Sequence, residues 1–499
     1  MNPVNFEHLF SQLETQVREG HGSAVAHKLL AIKINEIPRK QLSRFANLAR
    51  RTGLSKLCLR ALYPILNSEK SVVPASSGEI IEYAAALIVV GATKEANKLL
   101  SNPDIQKQEP RALFFLAMTH FRNWQYEESI PYLKTYVDSM VDSYSKLVGS
   151  VNLCAAYCST GQLDIAATLV SSLLKESKKI NSILLHGNLL EIAGQIEFYN
   201  QRFVKALEYF CESEKILKNT AAHSSLYPRK WQYLLKAKQE SSIHSAFMVM
   251  APIMEEARKQ RDWETLRDID KQLGIFFQDM FVAAKLYFGT PFANYRNGLS
   301  KFFKGFSPLN DFFLCDRWQN AIRGPTLELH TAKLNNKDIG IKVGSLPHQL
   351  FGTLLKDFYR PFSAGTLFGE LFPDEFYNPF TSYDRVYQSV KRLRIVFNER
   401  RLPIRINQWR YEYSVKLVGP VNIHLRSQDL SLKSEHLKNT HLHEVFKTLS
   451  THNVFSVKDL MGEMNVSLRS ANRVLSDQVE KGNLVRLGKG KNTRYKLVG

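Results

Sequence analysis

The sequence predicts a mainly α protein, in which a solenoid of paired helices is followed by two smaller α+β domains. Three observations lead to this prediction. Small residues recur at similar intervals through the first three hundred positions, a basic amphipathic segment then lies between strand-like segments, and a further set of helix and strand patterns follows. A repeat of this length is typical of stacked helical hairpins, whereas alternating patterns beside a 3.6-residue pattern indicate an α+β unit.

The repeat occupies residues 1–306. In each unit a small residue is followed 12 positions later by a second small residue, and a larger apolar residue comes four positions after that. The second small residues are Cys58, Ala96, Ser129, Ala166 and Ala206. The pattern resembles tetratricopeptide repeats, whose period is about 34 residues, because small residues allow two helices to pack closely. The spacings here range from 33 (Ala96 to Ser129) to 40 (Ala166 to Ala206), which implies longer helices or loops in some units.

The end of this array, residues 246–303, has a helical pattern, and Trp263 and Leu266 indicate a further, degenerate unit. It is rich in aromatic residues, namely Phe276, Phe277, Phe281, Tyr287, Phe288, Phe292 and Tyr295. We expect these side chains to form the core of a capping helix pair, although a ligand groove is the alternative. A solenoid also offers a concave face, so we expect the array to receive a protein, a peptide or a small-molecule signal.

No enzyme motif is visible in the chain. We find no glycine-rich phosphate loop, no H-E-x-x-H motif and no nucleophile elbow, so the sequence predicts no catalytic residue, cofactor or metal. The five cysteines are too scattered for a disulfide framework or a zinc site, and we expect buried free thiols. Neither a signal peptide nor an apolar run long enough to span a bilayer is evident, which predicts a cytoplasmic protein without membrane contact.

The charge is uneven along the chain. The net charge is +20, and residues 321–499 hold 28 Lys and Arg against 16 Asp and Glu. A basic excess of this kind favours a polyanionic partner, most often nucleic acid. Double-stranded DNA is the partner we expect, in association with the nucleoid. RNA is less favoured because no aromatic-rich sheet is visible.

A basic amphipathic segment, Ser382–Arg401, lies at the centre of this region. Its apolar residues recur at helical spacing and are Val386, Val390, Leu393 and Phe397. The opposite face of the same helix carries Arg385, Gln388, Lys391 and Arg392. Arg and Gln can pair with base edges and Lys with phosphates, so the helix suits a DNA major groove. An ordinary surface helix with solvated charges is the alternative for this segment alone.

The neighbouring patterns complete a domain, residues 326–416. Thr326–His330 and Ile339–Val343 predict a hairpin, and Pro347–Phe358 predicts a helix. A short helix then carries Leu367, Leu371 and Phe372. After Pro403, alternating residues predict strands at Ile404–Ile406 and Tyr411–Val415, with a turn at Asn407–Arg410.

This order resembles the OmpR/PhoB-type winged helix of bacterial regulators. The matching residues are Ser345-Leu346-Pro347, Leu350, Phe351, Leu354, Leu355, Phe362-Ser363, Leu367, Leu371, Val390 to Arg394, Ile404-Arg405 and Tyr413. The resemblance implies that the second helix crosses the DNA backbone and the third enters the major groove. Arg385, Gln388 and Arg392 would contact base edges or nearby phosphates. Lys391, Arg394 and Arg405 would contact phosphates.

Two features depart from that family. The wing reads Gln408-Trp409-Arg410-Tyr411-Glu412-Tyr413 and lacks the usual glycines, so a minor-groove contact by Arg410 is in doubt. The helical array also stands where the family has a phosphoacceptor domain. Control by aspartyl phosphorylation is therefore not implied.

A second domain is predicted at residues 435–499. Helices are expected at His443–Leu449, at Val457–Met464 and from Ser467 to Lys481, followed by strands at Leu484–Leu487 and Thr493–Leu497. The order resembles the common winged-helix module of bacterial regulators. By that resemblance, Arg469, Ser470 and Arg473 are candidate groove readers, and Lys489, Lys491 and Arg494 are candidate phosphate contacts. Dimerisation or protein contact is the alternative for this domain.

Residues 307–325 form a predicted junction and residues 417–434 a predicted linker. Together these features predict a sequence-specific DNA-binding transcription regulator, a TPR-like α-solenoid with two C-terminal α+β winged-helix domains. The alternative is a non-enzymatic interaction scaffold whose winged helices serve protein docking or formation of a homodimer.

Overall fold

The computed structural model describes residues 5–18, 21–67, 73–218, 225–307, 309–315, 324–428, 445–446, 449, 454–464, 468–480, 482–488 and 493–497. The fold is mainly α, a solenoid of helix pairs followed by α+β structure, as the sequence predicts. Within these residues, no helix combines the length and the apolar character that crossing a bilayer requires.

The solenoid consists of helices that follow one another with short turns. Their bounds are α1 (Phe6–Arg18), α2 (Gly22–Leu30), α3 (Leu42–Arg51), α4 (Ser55–Leu66), α5 (Ser77–Val90), α6 (Thr93–Leu100), α7 (Pro103–Gln108), α8 (Arg111–Arg122), α9 (Tyr126–Ser139), α10 (Ser143–Ser159), α11 (Leu163–Lys179), α12 (Ile183–Tyr199), α13 (Phe203–Leu217), α14 (Leu226–Ala237), α15 (Ile243–Gln260), α16 (Trp263–Phe277), α17 (Met280–Phe288) and α18 (Ala293–Gly298). Short 3-10 helices occupy Ile34–Glu36, Arg39–Gln41 and Leu299–Lys301.

The predicted small residues lie where paired helices touch. Ala96, Ser129, Ala166 and Ala206 are completely buried. A methyl group on Gly194 of α12 would lie 2.4 Å from the ring of Phe210 on α13. The repeat pattern therefore identified true packing positions, because only a small side chain allows that approach.

One unit, α14 with α15, was not recognised from the sequence. Its second small residue, Ala246, and the following apolar residue, Met250, are buried as in the other units. The position 12 residues before Ala246 is Leu234, however, and this larger side chain hides the pattern. The aromatic residues beyond α15 mostly pack into the core, as expected, since Phe288 and Tyr295 are buried while Phe281 is partly exposed.

The array curls until the turn between α8 and α9 reaches α16 and α18. Trp124 donates its indole N–H to Glu264 at 3.1 Å. Its ring lies edge-on to Tyr295, with centroids 4.6 Å apart. Asn294 donates to Glu128 at 2.8 Å in the same region. These contacts close helices α8–α18 into a ring, and we call the space inside it the lumen.

The α+β region that follows contains ten strands and five helices in the described residues. Its strands are β1 (Asp311–Cys315), β2 (Thr326–Glu328), β3 (Lys333–Leu334), β4 (Lys337–Asp338), β5 (Phe362–Ser363), β6 (Ile404–Trp409), β7 (Glu412–Leu417), β8 (Asn422–Arg426), β9 (Leu484–Leu487) and β10 (Arg494–Leu497). Its helices are α19 (Leu346–Leu354), α20 (Ala364–Leu371), α21 (Ser382–Glu399), α22 (Val457–Met464) and α23 (Leu468–Glu480).

Elements β1–β8 and α19–α21 form what we call the middle module. One sheet has the order β1-β8-β2-β3-β4, and a second has the order β5-β7-β6. The predicted core face of α21 is confirmed, because Val386, Val390 and Leu393 are fully buried and Phe397 nearly so. Strands β1 and β8 lie inside the segments predicted as junction and linker, and β8 pairs with both β1 and β2.

Several elements predicted from the sequence differ in the structure. The strand predicted at Thr326–His330 ends at Glu328, and the short helix ends at Leu371, before Phe372. Ile339–Val343 is not a strand, because Gly340 and Gly344 take left-handed backbone conformations, with φ of +80° and +76°. Helix α19 ends at Leu354, since the carboxylate of Asp357 accepts the N–H groups of Tyr359 and Arg360 and turns the chain. The β6–β7 turn lies at residues 410–411, because both strands are longer than predicted.

The second predicted domain, residues 435–499, is described in part, and we call it the last module. Its predicted helix at Val457–Met464 is confirmed, and its hairpin pairs Leu484 with Leu497. Leu460, Ala471 and Leu475 form its core. The predicted start at Ser467, most of the helix at residues 443–449 and the turn at residues 489–492 lie outside the described residues.

Candidate functional site

The predicted DNA-reading face of α21 is open to solvent at its centre. Gln388, Lys391 and Arg392 are exposed, on the side opposite the buried face of the helix. Among the described residues, neither Lys391 nor Arg392 has a carboxylate within 4 Å. Two acidic residues, Asp384 and Glu399, are exposed near the ends of the helix. The middle of α21 therefore presents a polar, basic surface with unused hydrogen-bond donors.

Arg385 and Arg394 are engaged inside the module. The guanidinium of Arg385 forms a bidentate pair with Glu375 and lies 3.9 Å from the ring centroid of Phe372. Arg394 donates to the main-chain oxygen of Ile406 at 2.8 Å. Either residue would have to release these partners before it could contact DNA.

The hairpin carries a second basic pair. Arg405 on β6 lies directly opposite Lys416 on β7 in the strand register, and both are exposed. Like charges directly opposite each other destabilise a hairpin, so this pair costs some stability and leaves a local positive charge on the sheet. Lys416 was missed from the sequence because the predicted strand ended at Val415, whereas β7 continues to Leu417.

The tip of the β6–β7 hairpin contacts the array. Arg261, in the turn between α15 and α16, stacks on Trp409 at 3.7 Å from the ring centroid and pairs with Glu412 at 2.5 Å. Lys56 of α4 lies 5.1 Å from the ring centroids of both Tyr383 and Tyr411. Burial among these groups lowers the pKa of Lys56. Both ends of the array therefore hold the tip.

Arg410 and Tyr411 form this turn, and both are exposed. The conformation of Arg410 is left-handed. Its φ is +51°, and its guanidinium lies 4.5 Å from the ring centroid of Trp409. The neighbouring Trp409 and Tyr411 contact the array. Whether Arg410 reaches a DNA groove stays a prediction.

The start of α20 is also packed against the array. Ser363 donates its hydroxyl to the main-chain oxygen of Val90 at 2.7 Å. Gly91 has a φ of +89°, and a methyl group there would lie 2.1 Å from that hydroxyl. A methyl group on Gly365 would lie 2.3 Å from the Val90 oxygen. The two backbones approach so closely that this contact fixes the second helix of the module against α5.

Helix α16 links the lumen to the middle module. Arg267 is fully buried and forms two hydrogen bonds with Asp357, of 2.7 and 2.8 Å. Tyr359 donates its hydroxyl to Asp270 at 2.6 Å. Burial of Arg267 opposes its charge, but the adjacent carboxylates of Asp357 and Glu264 more than offset this and raise its pKa. The module is thus anchored on one side of α16.

The other side of α16 faces the lumen, which contains a cavity of about 930 Å³. Its wall combines aromatic rings with charged groups. Lys230 pairs with Asp268 at 2.5 Å, and the ammonium of Lys271 lies 4.4 Å from the ring centroid of Phe302. The other principal lining residues are Arg122, Trp124, Tyr126, Tyr199, Trp231 and Arg360.

Candidate residues of the last module are described in part. Arg494 is exposed on β10. Arg469, Ser470 and Arg473 belong to α23, but their side chains lie outside the described residues, as do Lys489 and Lys491. The prediction that this module contacts DNA therefore stays a prediction.

In the described part of the chain, no three His, Cys, Asp or Glu side chains are arranged to hold a metal ion. Cys58, Cys154 and Cys158 are buried free thiols, as expected, whereas Cys211 is exposed and Cys315 is half-buried. Burial raises the pKa of Cys154 to about 12.

No protein-family model matches the chain, and no curated protein matches it. A crystal structure of a Rap protein complexed with competence and sporulation factor is similar to 56% of this chain and 83% of that chain, with 12% identity and a TM-score of 0.39.

Proposed function

We propose that the protein is a non-enzymatic, DNA-binding transcription regulator whose helical array receives a signal. The observation that carries the proposal is the exposed, unpaired stripe of Gln388, Lys391 and Arg392 on α21. It lies opposite a fully buried apolar face, so the helix is held rigidly while its polar groups stay available. Arg and Gln can read base edges, and Lys can neutralise phosphate.

The order of elements supports the proposal. Helix α19, strand β5, helices α20 and α21 and the β6–β7 hairpin follow one another as the winged-helix resemblance implies. The resemblance would place α21 in the major groove. We assign the hairpin a different role from the family wing, because its tip is bound to Arg261 and Lys56. DNA would instead meet the hairpin at Arg405 and Lys416.

The test begins with the selection of DNA fragments that the full-length chain retains from a genomic library. A regulator should prefer a discrete sequence over random DNA by about a thousandfold or more. The double variant Lys391→Ala/Arg392→Ala should then bind at least tenfold more weakly. If both side chains contact phosphates, the slope of log affinity against log salt should fall by about two.

A matched control changes the same number of charges away from α21. Lys175 and Lys179 are exposed on α11 of the array. Their double substitution by Ala should leave both the affinity and the salt slope unchanged. Equal losses in the two double variants would mean that only net charge matters and would overturn the reading role of α21.

A second function, that of a protein-docking scaffold, is favoured by one observation. The start of α20 and the hairpin tip, which a winged helix turns towards DNA, both contact the array. In that case the chain would bind all DNA sequences weakly and alike. The selection experiment separates the two functions, because a scaffold would enrich no common sequence.

A further inference from the structure

Two cations that line the lumen have no ion-pair partner within 4 Å in the described residues. Lys271 has no carboxylate within 4 Å among the described residues, and its ammonium faces Phe302. Arg122 likewise has no hydrogen-bond or ion-pair partner in the described part of the chain. Burial lowers the pKa of both groups, and Lys271 is the more buried of the two.

The carboxylates of the same wall are already engaged. Asp268 accepts from Lys230 at 2.5 Å, and Asp262 caps α16 by accepting from the N–H of Thr265. Glu264 accepts from Trp124 and from Arg267, and Arg360 lies 3.9 Å from it. Glu128 accepts from Asn294. The remaining acidic residue of the lining, Glu127, is exposed. Apart from Glu127, these carboxylates therefore have donors for their oxygens, whereas Arg122 and Lys271 have no acceptor for their N–H groups in the described residues.

Neutral donors and aromatic rings surround these cations. Burial raises the pKa of Tyr126 and of Tyr199, so both hydroxyls stay protonated at neutral pH. Trp124 and Trp231 add large apolar faces to the same wall. Gln195 also lines the cavity and adds an amide that can pair with a peptide bond. A wall of this kind suits a ligand with apolar groups, amides and negative charge.

We propose that the lumen binds a short acidic peptide, whose carboxylates pair with Arg122 and Lys271 while its body packs on the aromatic wall. The cavity of about 930 Å³ lies at the upper end of the range typical of small-ligand sites, about 300–1,000 Å³. A peptide is favoured over a simple carboxylate because polar residues of four helices line the cavity, namely Glu127 of α9, Gln195 of α12, Lys230 of α14 and Lys271 of α16. The assignment deepens the proposed role of the array as a receiver and does not depend on DNA binding.

The probe is a pair of synthetic hexapeptide pools with free C-termini. One pool carries Asp or Glu at two positions, and the matched pool carries Asn or Gln at the same positions. Binding to the full-length chain is measured by fluorescence anisotropy of labelled peptides, without DNA. The acidic pool should bind at least tenfold more tightly than the amide pool. Equal binding of the two pools, or binding of neither, would overturn the proposal.

Variants assign the selectivity to the two cations. Arg122→Gln with Lys271→Gln should reduce the preference for the acidic pool to less than twofold. The conservative pair Arg122→Lys with Lys271→Arg should retain most of it, which separates lost charge from lost folding. Lys175→Gln with Lys179→Gln on the outer helix α11 should retain all of it. Full selectivity in the Gln variant would exclude Arg122 and Lys271 as the binding groups.

Succinate serves as a competitor that has the charge but not the peptide body. It should displace the acidic peptides only at concentrations at least a hundredfold above theirs. Displacement at equal concentration would identify a small dicarboxylate as the ligand and overturn the peptide assignment. Failure of DNA binding in the α21 variants would leave all these measurements unchanged, so the two proposals fail separately.

Discussion

Gly91 is the residue at which the array and the middle module come closest. A side chain there would meet two obstacles at once, a left-handed backbone and the hydroxyl of Ser363 at 2.1 Å. Gly161 has a similar φ of +79°, but a methyl group there would lie in open space. The two glycines therefore separate the cost of the backbone conformation from the cost of lost contact.

We expect Gly91→Ala to lower the free energy of unfolding by roughly 3 kcal/mol or more, because the strain of a left-handed alanine adds to the displacement of α20. Gly161→Ala should lower it by only about 1–2 kcal/mol, the strain alone. Urea unfolding followed by circular dichroism measures both. Similar losses in the two variants would mean that α20 is not held tightly at Gly91.

For individual residues, the sequence predicts buried apolar contacts better than buried polar ones. The spacing of Val386, Val390 and Leu393 was sufficient to place them in the core, because helical periodicity is local. The sequence contains no comparable signal that Arg267 is buried in an ion pair. Its partner, Asp357, lies 90 positions away, and nothing in a single sequence marks two charges as a buried pair.

At the scale of elements, helix α21 was predictable from local signals, whereas the turn of the β6–β7 hairpin was not. The helix was predicted to within two residues, Ser382–Glu399 against Ser382–Arg401, because both its apolar period and its following proline are local signals. The position of the hairpin turn was predicted wrongly, at Asn407–Arg410 instead of residues 410–411. A turn of Arg410 and Tyr411 without glycine is held by contacts with α4 and the α15–α16 turn, which no local pattern can reveal.

These contacts can be tested at the hairpin itself. Trp409→Ala with Glu412→Gln should speed amide exchange in β6 and β7 by at least tenfold, since the tip loses its stacking and ion pair with Arg261. The global free energy of unfolding should fall by no more than about 2 kcal/mol, because both groups are partly exposed.

Asn407→Ala provides the control, since Asn407 is exposed on the same strand. It should change neither the exchange rates nor the stability by a measurable amount. Unchanged exchange in the double variant would show that the hairpin holds its shape without the array.

The whole molecule is organised by the closure of the array into a ring. Trp124 makes this closure through a hydrogen bond to Glu264 and an edge-on contact with Tyr295. The repeat pattern predicted a solenoid and a concave face, but it did not predict that the solenoid closes. Closure depends on the sum of small rotations between units, and these are set by spacings that vary from 33 to 40 residues here.

We expect Trp124→Ala to open the ring. The radius of gyration measured by small-angle X-ray scattering should increase, and the free energy of unfolding should fall by about 2 kcal/mol because a partly buried indole is removed. Trp124→Phe keeps a ring against Tyr295 and loses only the N–H, so it should cost about 1 kcal/mol and leave the radius unchanged. An unchanged radius in the Ala variant would mean that α18 closes the ring without Trp124.

The pairing of β1 with β8 has a consequence for how the chain unfolds. Asp311 and Arg426 are direct partners in this pairing, so the segment between them starts and finishes at neighbouring points of one sheet. Paired antiparallel residues lie only about 5 Å apart. The middle module is thus a closed excursion of the chain, which begins and ends at one edge of the same sheet. Its core is nevertheless continuous with that of helices α1–α8, so the module and the first half of the array should unfold together.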